Sequence, residues 1–203
     1  MKSEVSVRTR QSTKTLTKIG ILGAVSAVLM LFEFPLWFAP SFYELDFSEV
    51  PVLIGSFALG PAAGAAIEFI KIMLNFILNG TVTGGVGEFA NFVVGCAFIV
   101  PAGYIYKRNK TLKTAIIGLV VGTLSLAILG MFLNYYLLIP LYAKVFGAPV
   151  QAFIDMGNAV NPAIVDLKTL ILYAVVPFNL FKGTVVSIIV LLIYKRLSPI
   201  LHK

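Results

Sequence analysis

The sequence predicts an all-α membrane protein of six transmembrane helices with both termini cytoplasmic, and three observations carry that prediction. Hydrophobic residues make up 59% of the 203 and the mean hydropathy is +0.94, which suits lipid better than water. The apolar residues gather in long continuous runs, not in the short alternating segments of a β-barrel. Basic residues collect in three zones between those runs, and acids largely avoid them. Charged residues are only 12% of the chain, about half the share of a soluble domain, so residues 1–203 read as one integral-membrane domain.

Residues 1–18 form a polar basic tail carrying Lys2, Arg8, Arg10, Lys14 and Lys18. The apolar run Ile19–Phe34 follows and ends in Phe34-Pro35-Leu36-Trp37 without a small-residue cleavage site, so it is expected to be a retained helix and not a removed signal peptide. The next run, Val50–Leu78, is about 29 residues, longer than the ~20 that one crossing needs. It contains the turn-forming pair Gly60-Pro61. Three more runs lie at Phe89–Tyr106, Ala115–Ile139 and Leu170–Tyr194.

Charge decides how the long run is used. The linker Lys107–Lys113 and the C-terminal Lys195, Arg196 and Lys203 are basic like the tail, whereas Glu44, Asp46, Glu49, Asp155 and Asp166 lie in the other connections. All three basic zones are cytoplasmic only if the run splits at Gly60-Pro61 into two helices. The first of the two, about Pro51–Leu59, is too short to cross ~30 Å of hydrocarbon unaided. Residues 35–50 and 141–168 then become outer loops. The net charge of +7 follows the membrane flanks, so it does not point to nucleic acid.

Polar residues inside the apolar runs mark the candidate site, because a Lys at mid-membrane costs about 2.5–3.5 kcal/mol on insertion scales. In this topology Lys71 and Asn75 lie towards the outer end of the third helix. Glu88 and Asn91 open the fourth, Asn134 lies in the outer part of the fifth, and Asn179 and Lys182 lie near mid-depth in the sixth. Side-chain amides offer both donors and acceptors, matching the edge of a heterocycle or a polyol. A Lys suits a polarised carbonyl or a phosphate. The aromatic outer loop, with Trp37, Phe38, Phe42, Tyr43 and Phe47, suits a flat ring. Each Asn has a competing role as a bridge between helices, and Lys182 a competing pairing with Glu88 or Glu68. Glu33 and Glu49 are expected at the outer interface.

Other chemistry is poorly supplied. There is one cysteine, Cys96, and one histidine, His202, too few for a disulfide, a cysteine zinc site or a His-based hydrolytic centre. No Gly-x-x-x-x-Gly-Lys-Ser/Thr loop is present to cradle ATP. An intramembrane enzyme would need a serine elbow with His, a His-Glu-x-x-His site or paired carboxylates, and none is visible. The expectation is a non-enzymatic binding protein with no cofactor of its own. A scaffold or channel subunit is the alternative outside transport.

Several segments together resemble a known family: Leu45-Asp46-Phe47-Ser48-Glu49-Val50-Pro51, Phe57-Ala58-Leu59-Gly60-Pro61, Glu88-Phe89-Ala90-Asn91-Phe92, Leu133-Asn134-Tyr135-Tyr136 with Pro140-Leu141-Tyr142, and Pro177-Phe178-Asn179-Leu180-Phe181-Lys182-Gly183. Over nearly the whole chain the sequence resembles the riboflavin-specific S components of energy-coupling factor (ECF) transporters. The resemblance implies a multi-pass protein of the bacterial cell membrane that binds riboflavin from outside. Its phosphate form, FMN, and other vitamins remain open as ligands. It further implies assembly with a transmembrane coupling protein, EcfT, and two ATPase subunits, whose work reorients the S component in the bilayer. By resemblance Asn134, Asn179 and Lys182 contact the ligand, with Asn91, Lys71, Asn75 and Glu88 as further candidates. Tyr43, Glu44, Leu45, Asp46 and Phe47 form a lid. Small residues four apart let helices approach closely, so Gly20, Gly23, Ala24 and Ala27 on the first helix are the candidate docking patch for EcfT. Gly118-x-x-x-Gly122 repeats the pattern.

Overall fold

The computed structural model describes residues 2–201, with side chains described for 12–193 and Arg196. Nine helices and one small hairpin are found among the described residues. Helix α1 (Lys2–Met30) leads into a hairpin of β1 (Phe34–Pro35) and β2 (Glu44–Leu45), antiparallel with Phe34 opposite Leu45. Then come α2 (Glu49–Leu59), α3 (Pro61–Asn79) and α4 (Val86–Arg108). Helix α5 (Leu112–Leu133) continues through a π-helical turn, Asn134–Leu138, into α6 (Ile139–Val145). After α7 (Val150–Val160), the short α8 (Leu167–Leu170) passes through a second π-helical turn, Ile171–Val175, into α9 (Val176–Leu201).

The expected split occurs. Gly60 has φ 100°, a left-handed conformation that favours glycine, and its N–H caps the Ser56 carbonyl at the end of α2. Pro61 then occupies the first position of α3, where its missing N–H costs nothing. At 11 residues, α2 spans only ~16 Å. Among the described residues, five segments are long and apolar enough to cross a membrane: Ser12–Met30, Pro61–Asn79, Val86–Arg108, Leu112–Val145 and Leu167–Ile193. Many of their large apolar side chains, among them Phe69, Ile77, Val120, Ile128 and Leu192, are exposed, as lipid-facing surfaces are. These make the chain a multi-pass membrane protein.

Helix also occurs in two segments outside the long apolar runs. The supposed basic tail is helical from Lys2, although most of its side chains, and those of Lys195 and Lys203 at the other end, lie outside the described residues. Residues 141–168, expected as an outer loop, carry helix as well. They hold most of α6 and all of α7, and Phe153 and Ile154 of α7 pack with Ile139, Ile164 and Leu170 into a second small core.

The main core joins α2, α4, α5 and α9 through Leu53, Phe98, Ile99, Tyr106, Leu119 and Val186. Gly118 and Gly122 bring α5 hard against α4: a Cβ on Gly118 would lie 2.7 Å from the Ala102 carbonyl oxygen. Their small-residue repeat therefore serves packing within the chain. On α1 the same kind of stripe divides. A Cβ on Gly23 would come 2.6 Å from Ile70 of α3, and Ala27 is 1% exposed, so both face inward. Both were expected in a docking patch together with Gly20 and Ala24. Gly20 has open space around it and Ala24 is exposed.

Candidate functional site

At the end of the bundle that carries the hairpin and the α3–α4 connection, the helices enclose a cavity of about 520 Å³, within the range of small-molecule sites. Its walls include Asn75, Glu88, Asn91, Asn134, Asn179 and Lys182, and the hairpin contributes Tyr43, Glu44 and Asp46. Nine of the twelve sequence-predicted ligand candidates are thus gathered around one space.

Backbone geometry aims the two deepest amides. Each lies beside a π-helical turn, which widens the helix by one residue and is frequent at functional sites. Asn134 begins the first turn, and its Nδ2 donates to the Gly130 carbonyl at 2.8 Å. Asn179 follows the second turn, with Nδ2 donating to the Val175 carbonyl at 3.0 Å. Each Nδ2 spends one hydrogen this way and keeps another. Both residues are 6% exposed. The Asn179 Oδ1 has no hydrogen-bond partner among the described residues, and Asn179 lines the cavity, so this acceptor is available to a ligand donor. Gly130 makes room for this amide, since a Cβ there would lie 2.7 Å from Asn179 Nδ2.

The hairpin is fastened over the cavity at two points. The Tyr43 hydroxyl donates to Asn134 Oδ1 at 2.7 Å. Burial, then the neighbouring Tyr142, pushes this hydroxyl above the usual phenol range, so it remains a donor. The Tyr43 ring rests against Phe42 and Phe178 with centroids 4.6 and 5.3 Å away, and Phe42 meets Phe153 of α7. The second fastening is an ion pair between Lys182 Nζ and Asp46 Oδ2 at 2.8 Å. Asp46 Oδ1 accepts from the Ser48 N–H at 2.7 Å just before α2. Burial pushes the Asp46 carboxyl up, but Lys182, Lys71 and these hydrogen bonds together hold it below the usual carboxylate range. Its stabilising contribution is therefore complete above the ordinary aspartate value of about 4 and is lost only as pH falls through the lower folded value. The fastening is intact across neutral and mildly acid pH. Lys182 pairs with neither Glu88 nor Glu68.

Three candidates do not reach the cavity. Lys71 is 1% exposed and lies behind the wall, 2.8 Å from both Glu49 Oε1 and Glu68 Oε1. Two buried carboxylates claim it. Leu45 is 3% exposed as part of the core, and Phe47 packs against the main core and Phe34. Alternation along the strand turns Glu44 towards the cavity and Leu45 away.

Conversely, Glu49 and Glu33, expected at an interface, both line the cavity. For Glu49 the pull comes from Lys71, and without knowing that α2 packs on α3, nothing in the sequence pairs the two. The α3–α4 connection also forms part of the wall through Val82 and Thr83. It is pinned by Glu88, whose Oε2 accepts from the Thr81 and Thr83 hydroxyls at 3.1 and 3.2 Å. No group of His, Cys, Asp and Glu that could hold a metal ion occurs among the described residues.

Comparison with known proteins places this architecture. Residues 14–194 match the family model for the substrate-specific component of ECF transporters. The chain is 37% identical over 193 residues to the riboflavin transporter RibU of Staphylococcus aureus (strain TCH60), covering 95% of each protein. It is 35% identical over 187 residues to the riboflavin transporter FmnP of Bacillus subtilis (strain 168), covering 92% of this chain and 93% of that one. The fold superimposes on a solved S component of a bacterial ECF transporter with a TM-score of 0.75 and 34% identity, covering 95% of this chain and 99% of the other. Membrane helices, a cavity lined by both polar and apolar side chains and matches along almost the full length converge, and the chain belongs to the ECF transporter substrate-specific components, a family of transport subunits and not of enzymes.

Proposed function

We propose that this chain captures riboflavin outside the bacterial cell and is the substrate-specific subunit of an ATP-driven vitamin importer. The observation that carries the proposal is the cavity of about 520 Å³ beneath the hairpin, where Asn134, Asn179 and Lys182 meet an aromatic cover. Amide donors and acceptors suit the polar edge of the isoalloxazine ring and the ribityl hydroxyls, and Phe178 and Tyr43 suit its flat faces. The relatives named riboflavin transporters favour this vitamin over others.

The whole chain, 1–203, acts as one binding domain. With α2 counted as a short sixth span, both termini are cytoplasmic. The basic Lys107–Lys113 linker supports that orientation: Lys107 lies beside Gly60, at the end of the bundle opposite the cavity, so the positive-inside rule turns the cavity outward. The chain carries no ATP-binding loop, and energy comes from partners: EcfT and two ATPase subunits. Gly20 and Ala24, on the open side of α1, are the residues left to receive EcfT.

Uptake into vesicles tests the assignment. Riboflavin accumulation is expected only when the coupling protein and both ATPases are reconstituted with this chain and ATP is supplied. Equal uptake by the chain alone would contradict it. A milder prediction concerns Gly130. Gly130→Ala forces a methyl group against Asn179, an overpacking that costs about 1–3 kcal/mol. Riboflavin affinity is expected to fall, by titration, by roughly ten-fold or more while the helical signal in circular dichroism is retained.

A further inference from the structure

We propose that the turn of the hairpin is a membrane anchor: Trp37 and Phe38 sit in the headgroup and upper acyl-chain zone of the bilayer, so lipid holds the side of the hairpin that faces away from the cavity. The inference goes beyond the riboflavin assignment and does not depend on it.

The turn, Leu36–Tyr43, joins β1 to β2. Its sequence is Leu-Trp-Phe-Ala-Pro-Ser-Phe-Tyr, without a charged residue, whereas connections bathed in water draw mostly on Gly, Pro, Asn, Asp and Ser. Two reverse turns shape it. The Ala39 N–H donates to the Leu36 carbonyl at 3.1 Å, and the Tyr43 N–H to the Pro40 carbonyl at 2.9 Å. Trp37 and Phe38 hold the two central positions of the first. The turn is seated through Ala39 and Pro40, both buried. Its later residues Phe42 and Tyr43 line the cavity, but Trp37 and Phe38 do not. Trp37 is 89% exposed, more than any other large apolar side chain among the described residues.

What covers this indole is set by the surface it continues. The Phe38 ring stands edge-on to Trp37 and to Phe181 of α9, with centroids 5.4 Å apart in each pair. Phe181 and its neighbour Leu180 are exposed on the outside of α9, and Leu31, Phe32 and Phe34 are exposed where the chain leaves α1 for the hairpin. The turn thus extends the apolar surface of two membrane-spanning helices, and an exposed apolar patch of this kind marks a membrane or partner contact. Depth agrees from both helices. About 20 helical residues cross the ~30 Å of hydrocarbon. Counted from Lys14 or Lys18 on α1, that length ends between Phe34 and Phe38; counted back from Arg196 on α9, it ends near Val176. Phe181 then lies ~8 Å inside the boundary, and Phe38 bridges from it to Trp37. An indole, with a large apolar body and one N–H donor, suits the level where acyl chains meet headgroups.

Trp37 is the only tryptophan of the chain, so the unmodified protein carries its own probe. The flavin-free full-length chain is reconstituted into phosphatidylcholine vesicles whose acyl chains carry bromine, a contact quencher, either close to the headgroup or close to the terminal methyl. Tryptophan emission is expected to be blue-shifted from that of free tryptophan in water. Most of it should be lost with the shallow bromines and less with the deep ones, while iodide added to the water quenches weakly. Unshifted emission that iodide quenches and bromine does not would place Trp37 in water and overturn the proposal. Emission that neither quencher reaches would mean that protein, such as a second copy of the chain, covers the turn, and would overturn it equally. Stronger quenching by the deep bromines would put the indole in the hydrocarbon centre and contradict the interfacial placement.

Discussion

Replacing Lys71 with methionine is expected to destabilise the protein by about 3–5 kcal/mol, the cost of removing one partner from a buried ionic cluster. The side chains of Lys71, Glu49 and Glu68 are 2%, 7% and 0% exposed. The single ammonium compensates two carboxylates, and the Oε2 atoms of both have no hydrogen-bond partner among the described residues. Loss of the ammonium leaves both acids buried side by side. Gly95 of α4 leaves no slack, because Glu68 lies against it where a Cβ would otherwise sit. Thermal unfolding in detergent should shift down by roughly ten degrees, at ~2–4 °C per kcal/mol for a chain of this size. Adding Glu49→Gln and Glu68→Gln should recover much of the loss, since neutral amides need no counter-charge. A Lys71→Met protein that melts like the wild type would show that the cluster is not what joins α2 to α3. The link to function is positional: the same cluster fixes Glu49 at the cavity wall.

The largest effect on binding is expected from the pair Asn134→Ala and Asn179→Ala. Each leaves buried polar groups on ligand and protein unpaired, at about 1–3 kcal/mol apiece. Asn134→Ala also strands the buried Tyr43 hydroxyl, its partner at 2.7 Å, and so loosens the hairpin. Together the two should weaken riboflavin by two to three orders of magnitude, at about 1.4 kcal/mol per factor of ten. Both helices back onto their own carbonyls at Gly130 and Val175 without these side chains, so the fold should persist. Two substitutions that cost less than a factor of ten between them would mean the ligand sits elsewhere in the cavity.

What the sequence makes legible is set by how local the cause is. The break at Gly60-Pro61 was readable because a positive-φ glycine and an N1 proline act within a few residues. The five long spans were readable because hydropathy is a property of each segment. Asn134, Asn179 and Lys182 were readable as costly polar groups in lipid. The π-helical turns beside both asparagines were not, because each reflects how the helix meets its neighbours and leaves no pattern of its own. Partner choice was equally hidden. Lys71 looked like Lys182, a cation at depth, and only the placement of Glu49 and Glu68 against it and of Asp46 against Lys182 separates a structural cation from one in the cavity wall. The small residues of α1 make the same point. Gly20, Gly23, Ala24 and Ala27 share spacing, yet the packing of Ile70 takes Gly23 inward and leaves Gly20 and Ala24 open. Residues 141–168 carry too little hydrophobic length to announce α6 and α7 as helices, and their Phe153 and Ile154 acquire meaning only once α8 folds against them.

The most direct measurement is a quenching titration of flavin-free protein with riboflavin, paired with the Asn134→Ala/Asn179→Ala variant of matched circular dichroism. Saturation at one flavin per chain, with a steep loss of affinity in the variant, is the expected result. Absence of saturable quenching by the wild-type protein, or indistinguishable curves for the two proteins, would mean that the space under the hairpin is not where this subunit holds its vitamin.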